Sequence, residues 1–273
     1  PGNALGDQLC ARSQPDCGHC LRRHHTPSRH FFAGFAPLNR YVDLAAAAGT
    51  FDKYAIETSD TDKAKSIIES KGYVMNASSG YYEKDGQELK VTITNFDSPE
   101  MSGLGGIIVE QLQAIGINAV QDTKQIPDFI DGLLNAKFEM YVFFGSCGSV
   151  NDPWNSLDSF SVRHIPANAG EGVSGFYANT FRWNTETAQK YSDIVAQIGE
   201  LPVNDPAGDQ LFVDAMDLWY SELPIIPLVQ APKLVPFNTG VWKGWPTAAD
   251  PYIQPATWWQ STHVILQHLE PAQ

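Results

Sequence analysis

The sequence has no long apolar segment and little positive charge. None of its apolar runs approaches the roughly 18–20 residues that a membrane-spanning helix needs. Its 18 Lys and Arg stand against 31 Asp and Glu, which gives a formal net charge of −13. Phosphate backbones and anionic lipid surfaces attract basic protein faces. We therefore expect no nucleic acid, no membrane span and no anionic membrane surface among the partners.

Cysteine is scarce outside the first 20 residues. Three of the four Cys lie there, at positions 10, 17 and 20, and Cys147 stands alone in the rest of the chain. The main body therefore needs no disulfide framework, and cysteine usage leaves the redox compartment open.

Residues 1–50 differ from the rest and predict an atypical leader rich in Cys, His and Arg. Apart from an apolar patch at Phe31, Phe32 and Phe35, the first 40 residues show no sustained helical or strand period. We interpret this segment as disordered or non-native, and expect ordered structure to begin near residue 59. A zinc site is the alternative, because Zn²⁺ accepts Cys and His ligands. A redox C-x-x-C is the other alternative. The zinc ligands would be Cys17, Cys20, His24 and His25.

Residues 51–232 predict an α/β lobe. Residues 89–93 alternate as a strand, and Ser98-Pro99 begins a helix whose apolar positions repeat until Gly116. A short strand at 117–120 and a helix from Pro127 follow. The continuous apolar run at 140–144 predicts a strand covered on both faces. This β-α-β-α-β order predicts a parallel sheet.

Local sequence patterns predict further elements within this lobe. Residues 59–72 predict a capped helix, Asp85-Gly86 a hairpin turn, and 187–198 and 206–223 two further helices. Residues 224–229 predict an extended edge segment. Residues 233–273 predict a loop-like, Trp-rich tail.

Two segments follow strands of the predicted sheet and are candidates for ligand contact. Ligands of open α/β sheets bind beyond the carboxyl ends of the strands. That rule selects residues 95–98 and the small-residue loop 145–154. Parallel strands should bring Phe96 and Phe144 to a common rim, so that the two segments converge. Four of the seven Trp lie between residues 242 and 259, where flat indole faces either bind ligand or dock the tail.

Four motifs from Asp62 onward carry a family resemblance. They are A-K-S-I-I-E-S-K-G-Y at 64–73, E-Q-L-Q-A-I-G-I at 110–117, F-E-M at 138–140 leading to N-D-P at 151–153, and L-P-I-I-P-L at 223–228. In this order and spacing they resemble the C-terminal half of oligopeptide- or dipeptide-type solute-binding proteins of ABC importers. The Trp-rich close, Tyr252 to Trp259, is more similar to the oligosaccharide-binding members.

The resemblance implies a periplasmic-binding-protein-like lobe with a mixed, largely parallel sheet flanked by helices. It also implies that the first lobe is largely missing and that the tail returns toward it. It further implies a periplasmic or extracellular location, an oligosaccharide or peptide ligand and an ABC importer permease as partner. No cofactor is expected. The expected ligand-binding residues are Asp97, Ser98, Ser146, Asn151, Asp152, Trp154, Trp242, Trp245, Trp258 and Trp259.

Two other functions remain open. A hydrolase, an esterase or a glycosidase, would use Ser146, Cys147 or Ser149 as nucleophile and His164 or His263 as base. Asp152 or Asp158 would orient that base, and carboxylate pairs from Asp97, Glu100, Asp152 and Asp158 would serve glycoside cleavage. The other is a structural or assembly module, which would form a homo-oligomer through an exposed lobe face.

Overall fold

A computed structural model describes residues 26–56, 58–145, 149, 152–168, 171–175, 178–230, 235–250, 252–253 and 259–272, with backbone alone at 26 and 259–261. Within these ranges no helix is both long and apolar enough to cross a bilayer.

A three-stranded parallel sheet forms the centre of one half. Strand β5 (Lys90–Phe96) lies between β6 (Asn118–Lys124) and β7 (Met140–Val142). Phe96 is in register with Lys124, and Asn95 with Val142. Helices α4 (Pro99–Ala114) and α5 (Ile126–Leu134) connect these strands. The predicted α/β fold with a parallel sheet flanked by helices is confirmed.

Antiparallel pairs lie in separate small sheets. Strands β2 (Val74–Met75), β3 (Tyr82–Lys84) and β4 (Gln87–Glu88) form one of them. Asp85 and Gly86 both have positive φ, as the predicted tight hairpin turn requires. Helix α3 (Thr61–Ser70) precedes this sheet, and the Asp60 carboxylate accepts a hydrogen bond from the Lys63 amide at 2.8 Å.

Helix α4 begins where the sequence predicts. The Ser98 hydroxyl accepts a hydrogen bond from the Met101 amide at 3.2 Å, and Pro99 occupies the first turn. Gly116 follows the helix with a φ of 91°, a conformation that glycine adopts without steric cost. These local signals fix the direction in which the chain leaves β5.

Strand β7 is less covered than its apolar sequence predicts. Met140 is 39% exposed and Phe144, just beyond the strand, is 47% exposed. The expectation of a strand buried on both faces is wrong here, because β7 lies at an edge of the three-stranded sheet.

The largest hydrophobic core lies among helices. Helices α7 (Glu186–Glu200) and α8 (Ala207–Glu222) pack together and bury Tyr191, Phe212 and Trp219. The short helix α6 (Trp154–Asp158) and a 3-10 turn at Val162–His164 join the same core. Both long helices were predicted within two residues of their observed ends.

The N-terminal segment from residue 26 belongs to this core. Strand β1 (Thr26–Pro27) pairs with β8 (Val229–Gln230), and helices α1 (Asn39–Ala47) and α2 (Thr50–Lys53) pack on α8. Phe32 is 1% exposed and Leu38 is fully buried. The expectation that order begins near residue 59 is therefore wrong for residues 26–56. Docking on α8 stabilises this segment.

The tail has more regular structure than predicted. Helix α9 (Trp259–His268) follows β9 (Trp242–Lys243), which pairs with β10 (Glu270–Pro271). The expectation of a loop-like tail is wrong over these residues.

Candidate functional site

The carboxyl ends of the three parallel strands meet at one edge, which we call the rim (residues 96–98, 124–125 and 143–145). The Asp97 amide donates to the Lys124 carbonyl at 2.8 Å, and the Gln125 side-chain amide donates to the Asp97 carboxylate at 3.2 Å. The rings of Phe96 and Phe144 lie 6.2 Å apart. The predicted convergence of the segments after β5 and β7 is confirmed.

Phenylalanine rings form the apolar part of the rim. Phe143 and Phe144 stack at 4.1 Å with an interplanar angle of 26°. Phe96 stands edge-on to both, at 6.0 and 6.2 Å. The ring centroid of Phe129 in α5 lies 5.6 Å from that of Phe96, in an edge-on contact. The half-exposed Phe144 therefore presents a ring held in place by its neighbours.

Asp97 and Ser98 have different roles at the rim. The Ser98 hydroxyl is used to cap α4, whereas Asp97 is exposed and keeps carboxylate lone pairs beyond its bond to Gln125. The Lys124 ammonium lies 2.9 Å from the Asp122 carboxylate. Asp97 is therefore the polar group of the predicted pair that can reach a ligand.

A network of side-chain hydrogen bonds around the buried Asn95 connects the elements below the rim. Asn95 is fully buried, and its side-chain oxygen accepts a hydrogen bond from Gln121 at 2.9 Å. Its amide donates to the Phe96 carbonyl at 3.0 Å and to the Ser102 hydroxyl at 3.2 Å. These bonds tie β5 to β6 and α4. Sequence reasoning placed Asn95 in a ligand-facing segment, but it faces inward.

The segment 28–34 abuts the rim, which sequence reasoning missed. A Cβ built on Gly145 would lie 3.0 Å from the Phe31 carbonyl oxygen. Gln230 holds this segment, because its amide donates to the Ser28 hydroxyl at 2.9 Å and to the Phe32 carbonyl at 3.0 Å. The available signal was the Phe31-Phe32-Phe35 patch.

His30 lies in the same segment, and its imidazole is neutral near pH 7. Its ring stacks on Phe32 at 4.1 Å, and Nδ1 donates to the Phe32 carbonyl at 2.9 Å. Burial lowers the pKa of His30 to about 4; the carbonyl bond opposes this shift and Arg29 adds to it.

Asp152 and Trp154 make structural contacts. The Asp152 carboxylate accepts a hydrogen bond from the Trp154 amide at 2.8 Å, and the indole N–H of Trp154 donates to the Val195 carbonyl at 3.1 Å. The ring lies so close to Gly199 that a Cβ there would clash with the indole nitrogen. Trp154 thus packs on α7, and ligand contact by either residue stays a prediction.

The tail tryptophans contact one another. The indole N–H of Trp245 donates to the Trp242 carbonyl at 3.1 Å, and its ring stacks on Phe237 at 4.5 Å. Trp242 is 42% exposed. Trp258 lies outside the described residues, and Trp259 is described by its backbone alone. Their part in ligand binding stays a prediction.

The hydrolase residues are only partly brought together. His164 Nε2 lies 2.9 Å from the Asp158 carboxylate, but Arg163 also binds that carboxylate. Burial would raise the pKa of Asp158; the hydrogen bonds from Arg163 and His164 outweigh it, so the pKa is lowered. Asp152 instead bonds Trp154, and Ser149 is buried and accepts from the Ser156 amide at 2.9 Å.

The remaining nucleophile candidates, Ser146 and Cys147, lie outside the described residues, as does Asn151. His263 is exposed on α9. The Asp158 site therefore has the contacts of an ion-pair network and does not support the hydrolase interpretation.

The metal alternative falls on residues that the structure does not describe, namely Cys17, Cys20, His24 and His25. Among the described residues, no group of three or more His, Cys, Asp or Glu side chains is arranged to hold a metal ion.

Two pockets open to solvent away from the phenylalanine cluster. One, of about 450 Å³, lies between α2 and α8 and is lined by residues that include Lys53, Val213 and Asp217. The other, of about 420 Å³, lies on the α5 face of the sheet between Thr94 and Asp131 and reaches the rim at Lys124.

No family model and no curated protein matches this sequence. Solved structures do match. The periplasmic oligopeptide-binding protein of an oligopeptide ABC transporter from Thermotoga maritima, with mannohexaose bound, is 20% identical with a TM-score of 0.66. The match covers 98% of this chain and 49% of that one.

Two further structures are more distant. NikA from Brucella suis, in complex with Fe(III)-EDTA, is 17% identical with a TM-score of 0.57, over 84% of this chain and 42% of that one. The oligopeptide-binding protein AppA from Bacillus subtilis, in complex with a nonapeptide, is 14% identical with a TM-score of 0.54, over 80% and 38%.

This chain spans about half or less of the length of the structures it matches. The predicted resemblance to solute-binding proteins of ABC importers is confirmed at the level of the fold.

Proposed function

We propose that this chain is a ligand-binding lobe of an extracytoplasmic solute-binding protein of an ABC importer, with an oligosaccharide or an oligopeptide as ligand. The matched proteins support this proposal, because the Thermotoga maritima structure holds mannohexaose and the AppA structure a nonapeptide. An importer permease as partner and a periplasmic or extracellular location belong to the same proposal.

The observation that carries the proposal is the convergence of three strand ends at the rim. Asp97 and Gln125 are joined by a hydrogen bond at 3.2 Å, and the adjoining Phe96 contacts the exposed Phe144. Ligands of open α/β folds bind beyond such strand ends. An apolar surface with a few placed polar groups is also the usual composition of a small-molecule site.

The rim is one wall of a site. The resemblance implies a ligand enclosed between two lobes, and this chain spans about half of the matched proteins. A ligand bound to one wall buries less of its surface, so we expect this chain to bind more weakly than a two-lobed protein.

Isothermal titration calorimetry with mannohexaose and with a nonapeptide tests the proposal. We expect binding of at least one of them, weakened about tenfold by Asp97→Asn because a charged hydrogen bond acceptor is lost. Asp193→Asn removes an exposed carboxylate of α7 and serves as the matched control. Absence of binding to both ligands, or equal effects of the two substitutions, contradicts the proposal.

A further inference from the structure

We infer that the rim is a subsite for a neutral saccharide, in which a hexose ring stacks on Phe144 and its hydroxyls bond to Asp97 and Gln125. This inference rests on the proposed function and narrows its ligand class. It adds Phe144 and Gln125 to the residues that the sequence predicts for binding.

Phe144 supplies the stacking platform. Its ring stacks on Phe143 at 4.1 Å, and Phe96 meets it edge-on at 6.2 Å with an interplanar angle of 86°. Although it has these neighbours, 47% of Phe144 is exposed. An aromatic face carries partial negative charge and attracts the weakly positive C–H groups of a sugar ring. A ring fixed by two neighbours loses little conformational freedom when a ligand covers it.

Asp97 and Gln125 together offer both donors and acceptors. The Gln125 amide uses one N–H on the Asp97 carboxylate at 3.2 Å. A glutamine side chain has a second N–H and a carbonyl oxygen, and a carboxylate has further lone pairs. Gln125 and Asp97 can offer these to a ligand. Each sugar hydroxyl both donates and accepts, so neighbouring hydroxyls match a bonded carboxylate and amide.

The central strand β5 offers no free edge to a peptide strand. Strand β5 is paired on both sides, with Phe96 opposite Lys124 on one side and Asn95 opposite Val142 on the other. The Asp97 amide donates to the Lys124 carbonyl at 2.8 Å. Strand addition needs unpaired main-chain groups, and at these positions they are already used. Recognition at β5 therefore falls to side chains.

Charge also favours a neutral ligand over an anionic one. The Lys124 ammonium is 2.9 Å from Asp122, and the whole chain carries a net charge of −13. An anionic group such as a peptide carboxylate would enter a negative field with the rim lysine already paired. A saccharide without charge avoids this repulsion and retains the hydrogen bonds.

Proton NMR of mannohexaose mixed with the full chain tests this subsite. We expect upfield ring-current shifts of sugar C–H resonances on binding. Phe144→Ala should abolish these shifts and weaken the affinity about tenfold, whereas Phe144→Trp should retain both. Gln125→Leu should weaken the affinity while leaving the ring-current shifts at saturation. Val203→Ala truncates another exposed apolar side chain, between α7 and α8, and serves as the control.

The outcomes separate the two proposals. Binding of a nonapeptide without binding of mannohexaose overturns the saccharide subsite and leaves the proposed function standing. Binding of neither ligand overturns both. Mannohexaose binding that Phe144→Ala leaves within twofold of the unsubstituted chain overturns the subsite alone. Thermal unfolding of each variant shows whether a loss of binding reflects a loss of the fold.

Discussion

At the residue scale, side chains that bond to main-chain groups hold the irregular segments in place. Asn179 is fully buried, with a φ of 46°. Its amide donates to the carbonyls of Phe160 and Trp183 at 3.1 Å, and its oxygen accepts from the Trp183 amide at 2.8 Å. Asparagine tolerates this left-handed conformation better than most residues. One side chain thus organises a loop that has no regular structure.

His30 makes stability depend on pH. Its pKa is about 4 in the fold against 6.5 for the free group, so the folded state binds fewer protons between these values. Stability is therefore fully present above pH 6.5 and decreases as the pH falls toward 4. The shift corresponds to about 3–4 kcal/mol. We expect His30→Gln to reduce this pH dependence in urea unfolding measured from pH 4 to pH 7.

His263→Gln is the control for this prediction, because His263 is exposed on α9. It should leave the pH dependence unchanged. Parallel pH profiles for the unsubstituted chain and His30→Gln would show that His30 is not the responsible group.

At the element scale, helix α4 shows how tertiary contacts change the effect of a residue type. Gly103 has open space around the position of a Cβ, whereas a Cβ on Gly105 would lie 2.8 Å from Gln121 Nε2 and 2.9 Å from Asn95 Oδ1. Both glycines lie in the interior of the same helix. Helix propensity treats them alike, but the Asn95 network requires the close approach at Gly105.

Alanine substitutions at these two glycines should have opposite effects. Gly103→Ala should raise the free energy of unfolding by about 0.5–1 kcal/mol, because glycine loses more backbone entropy on folding. Gly105→Ala should lower it by about 1–3 kcal/mol, because the added methyl group displaces the buried Asn95 amide and the Gln121 side chain bonded to it. Urea unfolding of both variants measures this, and changes of the same sign would contradict the packing argument.

At the scale of the whole molecule, the N-terminal segment and the helical core are parts of one packed unit. The ring centroid of Phe31 lies 4.9 Å from that of Trp219 and 4.6 Å from that of Phe160. Arg40 donates to Asn204 at 2.9 Å and pairs with Asp209. Residues from the beginning of the described chain thus complete the hydrophobic surface of α7 and α8.

Phe32→Ala should destabilise the protein by about 3–5 kcal/mol, since it removes a buried aromatic side chain. Phe144→Ala is the matched control and should cost about 1 kcal/mol or less, because half of that ring is already in water. Chemical denaturation compares the two. Similar costs for both would show that the segment 28–34 does not stabilise the core.

Many elements could be predicted from short stretches of sequence. Each is encoded in one continuous stretch of sequence: the Ser98-Pro99 start of α4, the Asp85-Gly86 turn and the periodic apolar faces of α7 and α8. Their backbone conformations depend on local sterics and capping, which neighbouring residues set. The β-α-β-α-β order also predicted that Phe96 and Phe144 approach each other.

Other features depended on partners distant in sequence. Gln230 bonds to Ser28 and Phe32 across about 200 residues, and Trp154 bonds to Val195 of α7, which lies 41 residues further along the chain. The exposure of Phe144, and the helix in the tail, were likewise missed. Local patterns determined the elements and their order, because each element is specified by its own backbone preferences. Only the tertiary structure decided which side chains are buried or reach the rim, because burial depends on surfaces brought together from distant parts of the chain.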